Sequence, residues 1–176
     1  MLFITGNPGK AKEAREILGI RIVQKDIGLQ EIRADRVEDV AQRKAEDAYS
    51  ILKKPLIVED SGLFIKALNG FPGTCSSYVF KTIGIKGILK LMEGVKDRKA
   101  EFRCAVGYAS SKGIKVFVGT TEGSIALHPK GKNGFGFDPI FIPEGSKKTY
   151  AESIVLKNLS SHRHNALKQL ALYMRD

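Results

Sequence analysis

The chain opens with a short apolar run, Leu2-Phe3-Ile4, broken at once by Thr5-Gly6-Asn7-Pro8-Gly9-Lys10. Asn7 is a good N-cap and Pro8 suits the first helical position. Lys10 to Leu18 then carries helix formers, with Ala11, Ala14, Ile17 and Leu18 on one side and Gly19 as a C-terminal stop. Ile20 to Val23 reads as a second strand. A strand–turn–helix–strand opening commits the chain to the α/β class. It also sets a helix N-terminus at the end of a strand, where backbone N–H groups can hold phosphate and Lys10 adds charge. The P-loop pattern is not met: two residues separate Gly6 from Gly9, and Ala11 follows Lys10. Taken alone, the turn is equally a capped helix with surface lysines.

Val37 to Leu52 predicts a second helix, with Val37, Val40, Ala41, Lys44, Ala45, Ala48 and Leu52 at helical spacing. Pro55 stops it, and Leu56-Ile57-Val58 reads as a buried strand. Tyr78 to Met92 has helical periodicity weakened by Gly84 and Gly87. Phe102, Cys104, Val106 and Tyr108 alternate with Glu101, Arg103, Ala105 and Gly107, which predicts a half-buried strand. Ser110 to Gly113 makes a hairpin turn into a return strand through Ile114, Val116 and Val118, and His162 to Met174 forms a last helix. A hairpin between helical regions breaks any βαβ repeat, so the sheet should be mixed. No repeat, low-complexity segment or linker divides residues 1–176, which read as a single domain.

The 176 residues are 43% hydrophobic and 27% charged, enough for a sizeable core and against disorder. Apolar runs last only a few residues, far below the roughly 20 that span a bilayer. The N-terminus carries no basic leader or cleavage site, so the expected location is cytoplasmic. Cys75 and Cys104 have no CxxC neighbour, which leaves two reduced thiols and no zinc site. The net charge of +10 favours phosphate-bearing partners without choosing between nucleotides and nucleic acids. No block of five basic residues forms a DNA-binding arm.

Three further segments carry chemistry. Glu59-Asp60-Ser61-Gly62 follows an apolar strand, where two adjacent acids must be solvated, paired or on a metal. Strand alternation points one toward a site and one away, and a carboxylate there can hold Mg²⁺ or take a proton from water. The plain alternative is a strand exit capped by Asp60. Gly134-Phe135-Gly136-Phe137-Asp138-Pro139 permits close backbone approach and base stacking, or else packs its aromatics into the core. In Lys157-Asn158-Leu159-Ser160-Ser161-His162-Arg163, Ser160 or Ser161 can cap the last helix. Its first turn carries His162 and Arg163, which oppose the helix dipole unless an anionic or oxygen-rich ligand offsets them. His162 and His164 lack a third metal ligand. Lys44, on a mostly apolar helix face, either snorkels or reaches into a cleft. Glu31 lies in a loop-like stretch and signals nothing alone.

Thr5-Gly6-Asn7-x-x-Lys10, Leu29-x-Glu31-Ile32 and Val58-Glu59-Asp60-Ser61-Gly62-Leu63 stand in that order. Ala67-Leu68-Asn69-Gly70-Phe71-Pro72-Gly73, Gly134 to Pro139 and Lys157-Asn158-x-x-Ser161-His162-Arg163 follow them. In order and spacing the six segments resemble the inosine triphosphate pyrophosphatase family, which removes non-standard purine nucleotides. The resemblance implies an elongated, two-lobed α/β fold with a long mixed sheet flanked by helices and a central cleft. It also implies a homodimer without membrane or stable nucleic-acid partners, converting ITP, dITP and XTP to the monophosphate and pyrophosphate with Mg²⁺. By the same resemblance Thr5, Gly6, Asn7, Pro8, Gly9 and Lys10 would hold the triphosphate. Glu31 and Asp60 would bind Mg²⁺, Asp60 would accept the proton of the attacking water, and Glu59 would assist on a second metal or through water. Lys10, Lys44 and Lys157 would neutralise phosphate charge, with Ser61 among the substrate contacts. Phe135, Gly136, Phe137 and Asp138 would wall the base, and His162 and Arg163 would read it.

Inosine and xanthosine present an acceptor oxygen at position 6, where adenine presents a donor amine. Arg163 can only donate, so adenine would leave buried donors facing each other. The chain departs from many relatives where Cys75-Ser76-Ser77-Tyr78 replaces aromatic-Ser-Ala-Arg, and Phe137 stands where some carry Trp. Two rival readings stay open on residues alone. One is a non-enzymatic nucleotide- or nucleic-acid-binding module, against which Glu31, Glu59, Asp60 and Asp138 count because acids repel a bare phosphate backbone. The other is a phosphatase releasing orthophosphate.

Overall fold

The structure, a computed structural model, describes residues 1–175. Its strands are β1 (Leu2–Ile4), β2 (Val23–Lys25), β3 (Leu56–Ile65), β4 (Pro72–Gly73), β5 (Lys99–Ser110), β6 (Gly113–Ile125) and β7 (Phe141–Pro143). They form one sheet in the order β2-β1-β3-β5-β6-β7, with β4 beside β3. β1 runs parallel to β2 and β3, and the other pairings are antiparallel, so the sheet is mixed as expected. The helices are α1 (Pro8–Leu18), α2 (Val37–Leu52), α3 (Ser76–Thr82), α4 (Gly84–Leu91), α5 (Ile154–Ser160) and α6 (His162–Tyr173).

Local signals set the first two helices. The Asn7 side chain accepts the N–H groups of Gly9 and Lys10 at 2.9 and 3.3 Å, and Gly19 at φ 63° returns its N–H to the Arg15 carbonyl. α2 coincides with the expected Val37 to Leu52. The second strand differs: it is Val23–Lys25, not Ile20 to Val23, because its register on β1 pairs Leu2 with Val23. Ile20 is left 38% exposed while Ile22 enters the core. The helical stretch after Tyr78 is two helices, broken at Gly84 with φ +62° and beginning earlier, at Ser76. α5, capped by the Ser153 hydroxyl, adds a helix that the sequence pattern does not signal.

β3 runs seven residues beyond Val58, because β5 pairs with it from Leu56↔Ala109 to Ile65↔Ala100. Glu59 and Asp60 therefore lie mid-strand, not at a strand exit. Nor is β5 half-buried at its centre, where Cys104, Ala105, Val106 and Gly107 are all buried. Helices cover both faces of the sheet there. Ile57, Cys104 and Val106 pack with Ala14 of α1 and with Leu167 and Leu170 of α6. Leu56, Val58 and Ala109 pack with Ala45 and Ala48 of α2, and Ala105 with Val37 and Ala41. Beyond these, Leu63, Ile65, Phe102 and Ile125 join Val79, Ile88, Phe141 and Tyr150 in a separate core group at the other end of the long strands.

Candidate active site

A cleft of about 690 Å³ opens between these core groups, at the carboxyl ends of β1 and β2 and along the middle of β3. Ligands of open α/β sheets bind outside the carboxyl ends of strands. Alternation along β3 divides its two acids. Glu59 shares the face of Ile57, under α1 and α6, and Asp60 shares the face of Val58, under α2.

On the first face Arg163 of α6 forks onto Glu59. Its Nε donates to Oε2 at 2.6 Å and its Nη2 to Oε1 at 2.8 Å. Lys10 Nζ lies 3.3 Å from the same Oε1. Arg163 Nη1 donates to Glu13 Oε2, and Nη2 reaches Ser61 Oγ at 3.4 Å. Glu13 Oε1 lies 2.6 Å from Lys157 Nζ, which donates to Asp138 Oδ2 at 2.5 Å. That oxygen also accepts the N–H of Phe135 at 2.7 Å, and Lys157 sits 4.2 Å above the Phe135 ring. The result is one buried chain of alternating charges from Lys10 to Asp138. Burial alone would raise the Glu59 carboxyl, but Arg163 and Lys10 outweigh it and hold Glu59 well below the usual range. Burial works against Arg163 likewise, and Glu59 and Glu13 push it well above its ordinary value. For Asp138 burial wins over Lys157, and the carboxyl is raised.

On the other face Lys44 Nζ donates to Glu31 Oε1 at 2.6 Å and to the Glu59 carbonyl at 3.1 Å, and lies 3.7 Å from Asp60 Oδ1. Lys44 thus reaches into the cleft and joins Glu31 to Asp60. Asp60 Oδ2 is buried with no hydrogen-bond partner. Burial, opposed by Lys10 and Lys44 and helped by Glu31 and Glu59, raises the Asp60 carboxyl to about 6. Glu31 goes the other way: burial would raise it, but Lys44 beside it lowers it.

His162 lies 4.6 Å from the Phe102 ring, nearly parallel to it, with a buried, unpartnered Nδ1. Burial and Arg163 lower its pKa well below the ordinary value, so the ring is neutral. Ser161 caps α6 by accepting the N–H of His164. In the first turn of α1 the N–H groups of Gly9 and Lys10 are already taken by Asn7, whose own N–H donates to Thr5 Oγ1 at 3.1 Å. Phe135 lies so close to that turn that a Cβ at Gly9 would stand 2.8 Å from its ring. Gly136 and Asp138 line the cleft beside it. Phe137 also borders the cleft but is 3% exposed, packed in the core and edge-on to Phe80 at 5.4 Å.

Some residues of the site do not stand out in the sequence. Glu13 is the chief one, although it stands three residues after Lys10 and four before Ile17, on the same helix face. Asp26, Thr74, Ser77, Phe80, Lys81 and Phe102 also line the cleft. Cys104 is buried, with burial pushing its thiol well above the ordinary range, whereas Cys75 is exposed. Tyr78 is 71% exposed. Among the described residues no three His, Cys, Asp or Glu side chains gather into a ready-made cation cage.

The fold and the site define a mixed-sheet α/β protein whose cleft sets buried cations against carboxylates and leaves one carboxylate oxygen, Asp60 Oδ2, without a partner. The chain belongs to the Ham1 family, which it matches over residues 1–173. A dITP/XTP pyrophosphatase of Hyperthermus butylicus is 49% identical over 180 residues, covering 100% of this chain and 95% of that one. A dITP/XTP pyrophosphatase of Pyrococcus horikoshii is 50% identical over 173 residues, covering 96% and 92%. The Ham1 protein of Staphylococcus aureus superposes with a TM-score of 0.86 at 32% identity, over 99% of this chain and 97% of that one.

Proposed function

We propose that this chain hydrolyses the non-standard purine triphosphates ITP, dITP and XTP to the monophosphate and pyrophosphate, with Mg²⁺ as cofactor. The observation that carries the reading is Asp60 Oδ2, a buried carboxylate oxygen with no partner, in a cleft it shares with Lys10, Lys44 and Arg163. Leaving such an atom unpaired costs about 1–3 kcal/mol, which a ligand in the cleft offsets.

The residues fit Mg²⁺. This ion binds through one or two carboxylates together with water and substrate phosphates, so it needs no all-protein cage. Asp60 and Glu31 would hold it, and when bound it neutralises charge on the phosphate oxygens. Asp60 takes the proton of the attacking water. The water oxygen bonds to the α-phosphorus, the bond from that phosphorus to the bridging oxygen breaks, and pyrophosphate leaves. Lys10 and Lys44 offset the charge of the phosphate chain, since such transfer depends on positioning and neutralisation. Thr5 to Pro8 and Ser61 flank that chain.

The base lies toward Phe135, Gly136 and Asp138. Three N–H groups of Arg163 go to carboxylates and a fourth to Ser61. One N–H on Nη1 remains for the oxygen at position 6. His162, neutral with a free Nδ1, is the second polar contact. Residues 1–176 act as one domain in this reading, because the cleft draws on core groups at both ends of the long strands, through Ile4 on one side and Phe102 and Phe137 on the other. A homodimer in the cytoplasm belongs to the same reading, and sedimentation at twice the chain mass tests the first part. No helix among the described residues is long and apolar enough to cross a membrane.

The test is product identification with Mg²⁺ across ITP, dITP, XTP, ATP and GTP. Pyrophosphate from the first three, with little turnover of ATP and GTP, is the expected result. Orthophosphate as the product would identify a phosphatase instead. Binding with a steep salt dependence and no product would identify a binding module.

A further inference from the structure

Five cations and five carboxylates line the cleft, so its own charges cancel. Four of the cations are committed within the chain. Lys10 and Arg163 pair with Glu59, Lys44 with Glu31 and Asp60, and Lys157 with Glu13 and Asp138. The fifth is Lys81 on α3. Among the described residues no carboxylate lies within 4 Å of its Nζ, the distance at which the other four meet theirs. A triphosphate brings about four negative charges. The committed cations can meet them only by sharing with carboxylates already in contact, whereas Lys81 can meet them outright.

α3 is held so as to present Lys81. Ser76 at its start accepts the N–H of Leu63 at 2.8 Å and donates to the Gly73 carbonyl at 2.7 Å, which ties the helix to β3. Val79 is buried in the neighbouring core group, and Phe80 stands edge-on to Phe137. Ser77 and Lys81, one turn apart, both line the cleft, while Tyr78 faces solvent. Lys81 is the exposed cation of the cleft, whereas Lys44, Lys157 and Arg163 are buried, which sets it on the open side of the cleft.

We propose that Lys81 is a substrate-binding residue that pairs with the outer phosphates of the triphosphate, and with pyrophosphate before its release. The assignment rests on the triphosphate reading of the cleft. Its occupant is a polyphosphate group, so inorganic tripolyphosphate with Mg²⁺ serves as a probe that does not depend on turnover.

Calorimetry would compare the unaltered chain with Lys81→Ala and Lys81→Arg, using Mg²⁺–tripolyphosphate, Mg²⁺–pyrophosphate and inosine monophosphate. ITP kinetics would be measured alongside. Lys81 is exposed, so its truncation leaves the fold intact, with an unchanged Tm as the check. A lost charge-assisted contact of this kind corresponds to about a tenfold change in affinity. Lys81→Ala should weaken tripolyphosphate and pyrophosphate binding about tenfold and leave inosine monophosphate binding unchanged. KM for ITP should rise more than kcat falls, and Lys81→Arg should restore most of the loss. Unchanged tripolyphosphate binding in Lys81→Ala would overturn the assignment, as would an equal loss for the monophosphate or no tripolyphosphate binding by the unaltered chain. If ITP gives no product while tripolyphosphate binding still depends on Lys81, the functional reading fails and the assignment stands.

Discussion

Glu59 and Asp60 are chain neighbours whose carboxylates face opposite sides of β3, where Arg163 and Lys10 hold Glu59 below the usual carboxyl range and burial pushes Asp60 above it. Glu59 is gripped by Arg163 and stays ionised, while Asp60 is buried with one oxygen free. Environments that push two carboxyls apart assign them different tasks. Here Glu59 organises the buried cations, and Asp60 is the group left to do chemistry.

Asp60→Asn should abolish most turnover, by about 10²–10⁴-fold for a lost general base, while the protein stays folded. It should also be the more stable protein near neutral pH. The Asp60 carboxyl is raised from its ordinary 3.8 to about 6. Its contribution to stability is therefore fully present below pH 3.8 and lost as pH rises through 6. That gap corresponds to about 3 kcal/mol at most. Thermal unfolding in chelator should show the Asp60→Asn variant and the unaltered chain alike at pH values near the ordinary carboxyl range. Above the raised Asp60 value the variant should unfold at the higher temperature. A constant offset at all pH values would contradict the unpartnered buried carboxylate.

Arg163→Met should destabilise strongly. It strips the fork from Glu59 and one partner from Glu13, and breaking a buried pair from one side costs about 3–5 kcal/mol. For a chain of this size each kcal/mol lowers Tm by about 2–4 °C. Calorimetric scans would read the drop, and a change under about 2 °C would mean the buried charges are solvated.

Gly9→Val tests the approach of the Phe135 loop to α1. A Cβ at Gly9 meets the Phe135 ring at 2.8 and 2.9 Å, so the ring must move. Overpacking of this sort costs about 1–3 kcal/mol. The displaced ring should raise KM for ITP, and steady-state kinetics with a parallel Tm separate the two effects. Unchanged KM would remove Phe135 from the base pocket.

α1 and α2 are legible in the sequence because caps and helical spacing are local: Asn7, Gly19 and the Val37 to Leu52 stripe act within a few residues. Register is not local. The position of β2 depends on β1, and the length of β3 depends on β5, a strand remote in sequence, so Glu59 and Asp60 read as a strand exit although they lie mid-strand. The acids and lysines of the cleft stand out as chemistry, but their partners do not. Glu13 looks like a solvated helix acid until α6 brings Arg163 to it across 150 residues. Lys81 looks like any surface lysine until α3 docks at the cleft.

Hydrolysis of ITP in ¹⁸O-labelled water tests the central claim most directly, because it reports which phosphorus the water attacks. With Asp60 aiming water at the α-phosphorus, the label should appear in inosine monophosphate and be absent from pyrophosphate. Label in pyrophosphate or orthophosphate, with unlabelled monophosphate, would contradict it.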